Sequence, residues 1–365
     1  MSIPARLLAQ EPVRGVYGVP PPADMPALDF LQGIVRGHVA NAPFCHLTGV
    51  WPVEFGAGTA TFTLPITPWL QNGAGFVEPG IVAFLADAPL STAILAGLGP
   101  GRGLTTSELS VTYVQPITRG TSKLVCRAST MYSTKTAAVS TAEVTDAEGR
   151  LLAHASTRCV MFDIPTAPAG TRFPAPVTYD SPDPYLRPVE GDIRPPEVWN
   201  ALSGMEILNG YVAGEFEHFP TALLFGTDLG HLADGEVTVE MAATPWHCGG
   251  GGTLYGGMIA LLTQGAMESA VLTTLPAGTL FATLDLTVHF IRPIFPGEGL
   301  VSAAATVDHR GRLVRVASAR VLDAEGRTAA LARASVMVVP DGMRRMLRGE
   351  FPWPAPEPGG SARED

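Results

Sequence analysis

The longest apolar run of the chain is 77–99, VEPGIVAFLADAPLSTAILAGLG, and it carries one carboxylate, Asp87. A stretch apolar on nearly every side predicts a helix buried all round rather than one lying on a surface. Pro79 suits the start of such a helix, where a missing N–H costs nothing. An ionisable group inside it needs a partner or a function. Asp87 and Pro89 together argue against a membrane span. Before this helix, Phe30, Leu31, Ile34 and Val35 recur at helical spacing within 27–39, and 48–65 reads as one or two strands turning at Gly56-Ala57-Gly58. After it, from Leu104, the pattern becomes alternating and β-branched in three further strands, the last two turning at Asp146–Gly149.

The same order then repeats. Residues 254–276, LYGGMIALLTQGAMESAVLTTLP, lie 177 positions beyond the first apolar run, and that spacing holds without a gap from Leu31/Leu208 to Val160/Met337. Matched pairs include Gly33/Gly210, Gly49/Gly226, Trp69/Trp246, Gly80/Gly257, Thr106/Thr283 and Pro116/Pro293, and DAEGR occurs at 146–150 and again at 323–327. Two long copies are a duplicated domain, not a solenoid. The pattern predicts an α+β chain with lead-in 1–26, copy one 27–164, linker 165–198, copy two 199–340 and tail 341–365. Nine prolines between Pro165 and Pro196 make the linker stiff and extended, fit to cross one copy's surface. The second copy should open with a helix over 199–214, and 349–365 reads as a disordered tail.

Composition narrows the classes. With 24 Lys and Arg against 34 Asp and Glu, the formal net charge of −10 disfavours nucleic acid as a partner. The cysteines (Cys45, Cys126, Cys159, Cys248) form no C-x-x-C pair and suit a reducing, cytoplasmic setting, as does an N-terminus without an apolar leader. Gly249–Gly252 lacks the Lys-Ser/Thr of a phosphate loop.

The motif residues Asn72-Gly73, Glu78-Pro79-Gly80 and Phe84-Leu85-Ala86-Asp87, followed by the strands Thr106–Pro116 and Thr283–Pro293, resemble hotdog-fold acyl-CoA thioesterases of the phenylacetate-pathway (PaaI) type. The resemblance covers both copies. It implies two tandem hotdog domains, each an antiparallel sheet wrapped around its long helix, paired as a pseudo-dimer with sites at their interface. It further implies hydrolysis of an acyl- or aryl-CoA thioester with no metal or other cofactor. In that family a backbone N–H at the helix start polarises the thioester carbonyl, and a helix carboxylate of the facing unit activates water or attacks directly.

Carried over residue by residue, the two copies differ. One site would pair Gly256 (donor) and Tyr255 with Asp87 (base or nucleophile) and Thr106. The other would pair Asn72, Glu78 and Pro79 with Gln264 and Thr283, without donor or base, since proline has no N–H. Gly249 stands where copy one has Asn72, so Tyr255, His247 or Cys248 would have to place water at the first site. Sequence thus predicts one competent site at Asp87 and one degenerate site. Gly257 and Arg292 are candidate contacts to substrate or its CoA phosphates, and Trp69 and Trp246 are read as core. Bland readings stand beside each: Asp87 as a structural carboxylate, Thr106 as an ordinary strand residue, Tyr255 as a packing ring, Glu78 as a favourable charge at a helix start. A catalytically weak acyl-CoA-binding or regulatory protein is the second functional expectation. Hydratase chemistry ranks last, with His289 its one candidate. A homodimer of chains is expected, with no membrane contact.

Overall fold

The computed structural model describes residues 12–350 apart from 119, 298 and 349. Copy one contains α1 (Ala27–Val35), α2 (Pro43–Thr48), β1 (Trp51–Gly56), β2 (Thr59–Pro65), the long helix α3 (Gly80–Leu95), β3 (Arg102–Tyr113), β4 (Lys123–Ser133), β5 (Ala137–Asp146) and β6 (Leu151–Asp163). Copy two contains α4 (Pro196–Ala201), α5 (Gly204–Val212), α6 (Pro220–Phe225), β7 (Thr227–Ala233), β8 (Glu236–Ala242), the long helix α7 (Gly256–Thr273), β9 (Leu280–Phe290), β10 (Leu300–Arg310), β11 (Val314–Leu322), β12 (Thr328–Val339) and α8 (Gly342–Leu347). All twelve strands form one antiparallel sheet in the order β1-β2-β4-β5-β6-β3-β9-β12-β11-β10-β8-β7. This is an α+β double hotdog.

The copies meet at β3 and β9, whose register pairs Ser110 with Thr287. Those residues are equivalent in the repeat, and their hydroxyls lie 3.2 Å apart. The pseudo-twofold axis therefore passes between them. On one face of the sheet α3 packs over β2, β4 and β5, and α7 over β8, β10 and β11. The helices lie against each other, antiparallel, with Gly80 beside Leu261 and Gly257 beside Phe84. Being covered by sheet on one side and by each other on the next, they are buried around most of their circumference, which is why their sequences lack a polar stripe. Among the described residues no helix is long and apolar enough to cross a membrane.

Several elements differ from the sequence reading for local reasons. Helix α3 begins at Gly80 rather than Val77, because Val77 bridges back to Gln71 in extended form. Helix α1 stops at Val35, two residues before Gly37, which is left-handed at φ 70°. The single helix expected over 199–214 is two. Ser203 breaks it, accepting the Glu206 N–H while the Glu206 carboxylate accepts the Ser203 N–H, a reciprocal cap that starts α5 afresh. Helix α2 had no periodic signal strong enough to find. The tail opens with α8, and the disorder expected over 349–365 falls, residue 350 apart, outside the described residues.

The proline-rich segment runs across copy one. Arg187 accepts the Trp69 indole N–H on its carbonyl at 3.0 Å, and Asp183 pairs with Arg14 at 2.7 Å and with His46 at 3.1 Å. Its end, through Arg194 N–H to the Gly73 carbonyl at 2.9 Å, lies on the loop before α3.

A Cβ placed on Gly257 would sit 2.5 Å from the Phe84 carbonyl oxygen, which belongs to backbone and has no rotamer to yield. Gly257→Ala should lower stability by roughly 1–3 kcal/mol, as overpacking in a close-fitted core does. Urea unfolding checks this, and an unchanged midpoint would mean the helices separate without cost.

Candidate active site at the helix pair

Each long helix presents its N-terminus to the middle of the other, so the repeat makes two comparable positions. At the first, Asp87 is only 3% exposed. Its Oδ1 accepts the Thr106 hydroxyl at 3.1 Å and its Oδ2 accepts the Gly257 N–H at 3.1 Å. The N–H that reaches Asp87 is that of Gly257; Gly256, expected to turn its own N–H to a substrate carbonyl, is the residue whose missing Cβ, 2.7 Å from Oδ2, allows the approach. Burial pushes the Asp87 carboxyl up to about 6, against the lowering effect of these two hydrogen bonds.

Rings fill the space beside it. Tyr255 stacks on Phe44 with centroids 4.1 Å apart and meets Phe84 edge-on at 5.2 Å. Its hydroxyl donates to the Phe84 carbonyl at 2.5 Å and accepts the Ala88 N–H at 2.8 Å. Phe84 and Ala88 are an i, i+4 pair, so the phenol is inserted into the helical ladder next to Pro89, a recognised cause of helix distortion. Tyr255 is consequently committed at both lone pair and proton, and does not position water at Asp87. His247 is buried and held by Thr244, with its imidazole pushed down to about 4 by burial.

At the second position the repeat replaces that aromatic trio: Tyr255, Phe44 and Phe84 correspond to Glu78, Thr221 and Leu261. A cavity of about 630 Å³ opens there, lined by all three together with Asn72, Pro79, Tyr113, Trp199, Tyr211, Phe219, Glu268 and Thr283. Two carboxyls face each other inside it. Glu268, on α7, is 5% exposed and accepts the Gln264 amide at 2.8 Å and the Thr283 hydroxyl. Tyr113 donates to Gln264 Oε1 at 2.5 Å, which orients that amide with its NH2 toward Glu268. Glu78, half-buried and open to the cavity, hydrogen-bonds Glu268 and the Asn72 side chain. Burial and the neighbouring Glu268 hold the Glu78 carboxyl well above the usual range, and burial raises Glu268 as well. Two carboxyls neighbouring in an apolar site disfavour the doubly ionised state, so one proton between them is favoured.

The sequence reading gave this position no carboxylate on the facing helix; the structure places one there. Asn72, Glu78, Gln264 and Thr283 are brought together as expected, but around a carboxylate, Glu268, that was missed. The signal was available: Glu268 lies four residues after Gln264 and so on the same helix face, where copy one has Ser91 after Asp87. Asp87, Thr106, Tyr255, Gly256 and Gly257 also cluster, yet Asp87 does not line the cavity. Arg292 is exposed, with its guanidinium on the Thr328 carbonyl at 3.3 Å, away from it. The arginine at the cavity is Arg150, bonded to Gln115 at 3.1 Å. His289 is exposed on β9 opposite Glu108, whereas His218 lines the cavity. Among the described residues no group of three His, Cys, Asp or Glu side chains is placed to hold a metal ion.

Comparison with known proteins agrees with this architecture. The thioesterase superfamily profile matches twice, at residues 76–153 and 251–330. The structure is similar to a tesB protein of Mycobacterium avium subsp. paratuberculosis, with 11% identity, 82% of this chain and 98% of that chain covered, and a TM-score of 0.52. It is also similar to a hotdog-fold protein of unknown function from Alicyclobacillus acidocaldarius, with 15% identity, 81% and 97% coverage, and a TM-score of 0.50. At these identities the likeness is one of fold. No curated protein matches the sequence.

The raised Asp87 pKa has a signed consequence. Unfolded, this carboxyl releases its proton near 3.8, whereas folded it holds it to about 6. Stability is therefore fully present below the lower value and is lost as pH rises through the upper one, by about 3 kcal/mol in total. Between pH 4 and 8 the wild type should lose about that much more than Asp87→Asn in thermal or urea unfolding. Parallel pH curves for the two proteins would contradict the assignment.

Proposed function

Because the chain belongs in tandem to the thioesterase superfamily, we propose that it hydrolyses an acyl- or aryl-CoA thioester in the Glu78–Glu268 cavity. The observation that carries this is the coincidence of an apolar chamber of about 630 Å³ with a buried carboxylate held by two donors. Ligand sites have this form, mostly apolar with a few convergent polar groups. Leu261, Phe219 and Trp199 surround an uncharged acyl or aryl group, while Glu268 faces the reacting carbon. Glu268 takes a proton from water as the oxygen adds to the thioester carbonyl. Collapse of the tetrahedral intermediate breaks the C–S bond, releasing the carboxylic acid and, with that proton, the thiol. Thr283 and Gln264 keep the carboxylate aimed. No cofactor enters this scheme, CoA being part of the substrate.

A second reading keeps the chemistry at Asp87. It is favoured by the Asp87 contacts to Thr106 and to the Gly257 N–H at the start of α7, but it requires the Tyr255–Phe44 stack to move. A third is a binder without turnover. Dimers of chains, as the family resemblance implies, are proposed as well; light scattering at monomer mass would contradict them.

Thiol release from a panel of short, branched, long and aryl acyl-CoAs separates the readings. Glu268→Ala should lower kcat by about 10²–10⁴-fold, the usual worth of a general base, and Asp87→Ala should stay within a few-fold of wild type. The reverse pattern moves the chemistry to Asp87. A wild type that is only stabilised by an acyl-CoA, with no thiol released, is the binder.

A further inference from the structure

Resting on the cavity assignment above, we infer that Glu78, as a neutral carboxylic acid, donates the hydrogen bond that polarises the thioester carbonyl. The backbone leaves room for this role. The helix start that faces the cavity is Pro79, which has no N–H to offer, whereas the equivalent residue of the other copy, Gly256, retains one. The Ile81 N–H is turned back to the Glu78 carbonyl at 3.0 Å and the Val82 N–H to the Pro79 carbonyl at 3.1 Å. The Glu78 N–H is engaged by the Leu70 carbonyl at 2.9 Å. Among the described residues the first-turn amide left without an acceptor is that of Gly80, the repeat equivalent of Gly257, and Gly80 does not line the cavity.

The side chain supplies what the backbone lacks. Glu78 immediately precedes Pro79, lines the cavity and hydrogen-bonds Glu268. Of two carboxyls in contact, the one that already accepts other donors keeps the charge. Glu268 accepts Thr283 and Gln264, so the proton resides on Glu78. Asn72 cannot rotate away from this corner, because its Oδ1 accepts the Ala74 and Phe76 N–H groups at 3.1 Å each, which leaves its NH2 to the Glu78 carboxyl. The other charged or titratable groups at the cavity are Arg150, paired with Asp146 at 2.9 Å, Asp228, His218, the Tyr211 phenol, and the Tyr113 phenol, which is committed to Gln264.

When a thioester enters, its carbonyl oxygen replaces Glu268 as the acceptor of the Glu78 proton. Glu268, an unprotonated carboxylate with that contact released, takes a proton from water. As the C–O bond forms, the negative charge that develops on the carbonyl oxygen meets the Glu78 O–H in a dry site, where a fixed donor is worth most. On collapse the C=O re-forms, the C–S bond breaks, and the proton held by Glu268 passes to the sulfur. Glu78 ends with the proton it began with.

The test uses the full-length chain and four variants. Glu78→Gln keeps a neutral donor and should hold kcat within about 10-fold of wild type. Glu78→Ala should lose about 10²–10³-fold in kcat with little change in KM, as removal of one oxyanion donor does elsewhere. The double variant Glu78→Ala/Pro79→Gly restores a backbone N–H at the helix start and should recover at least 10-fold over Glu78→Ala. Far-UV circular dichroism and the melting temperature establish that each variant is folded before rates are compared. Glu78→Gln as slow as Glu78→Ala, or Glu78→Ala as fast as wild type, overturns the inference. Glu268→Ala separates the two levels of failure: full activity there sinks the cavity assignment itself, whereas its loss beside an active Glu78→Ala sinks only the role of Glu78.

Discussion

The close crossing of the two long helices is the constraint on which the rest depends. Gly80 and Gly257 let each helix start touch the other helix's backbone, with Leu261 and Phe84 in the contacts. That approach buries both helices against one sheet and fixes the dyad between Ser110 and Thr287. It also puts each N-terminus, with its unsatisfied amides and positive dipole end, beside carboxylates on the opposite helix. One packing solution thereby creates two polar positions in an otherwise apolar interior.

What each position becomes is decided by a few side chains of different size. Phe44, Phe84 and Tyr255 close the first, and the Tyr255 hydroxyl bridges the Phe84 carbonyl and the Ala88 N–H. Asp87 is then a buried carboxylate satisfied by protein groups alone. Glu78, Thr221 and Leu261 occupy less of the second, and the space they leave is the cavity. The charge there is stabilised differently, by Thr283 and by a Gln264 amide that Tyr113 orients from across the interface. Duplication thus permits one half of a symmetric interface to be packed for stability and the other to stay hollow for a ligand.

The fold was legible because duplication doubles every signal: an apolar helix, paired turns at Asp146 and Asp323, and strand patterns recurring at one spacing. Helix ends were less so, since Ser203 and Gly37 act through caps and left-handed turns that periodicity does not register. The polar clusters were also legible by resemblance, as Thr106 reaches Asp87 and Thr283 reaches the Gln264 face. Which cluster is open was not. Motif matching compares Asp87 with Gln264 and sees a lost carboxylate, but an α-helix brings Glu268 to the same face one turn later. Nor does a motif report volume. The stacking of Tyr255 on Phe44 depends on α2, an element with no periodic signature, coming up against α7. Comparing Phe44, Phe84 and Tyr255 with their repeat partners would have pointed to the larger space.

The central claim is that substrate enters the Glu78–Glu268 side of the helix pair. A crystal structure with a non-hydrolysable thioether analogue of an acyl-CoA tests it most directly. The acyl group should lie between Trp199 and Leu261, its carbonyl-equivalent atom at Glu78, with the Tyr255–Phe44 stack undisturbed. An acyl group beside Asp87, with Tyr255 swung out of the helix, would contradict it.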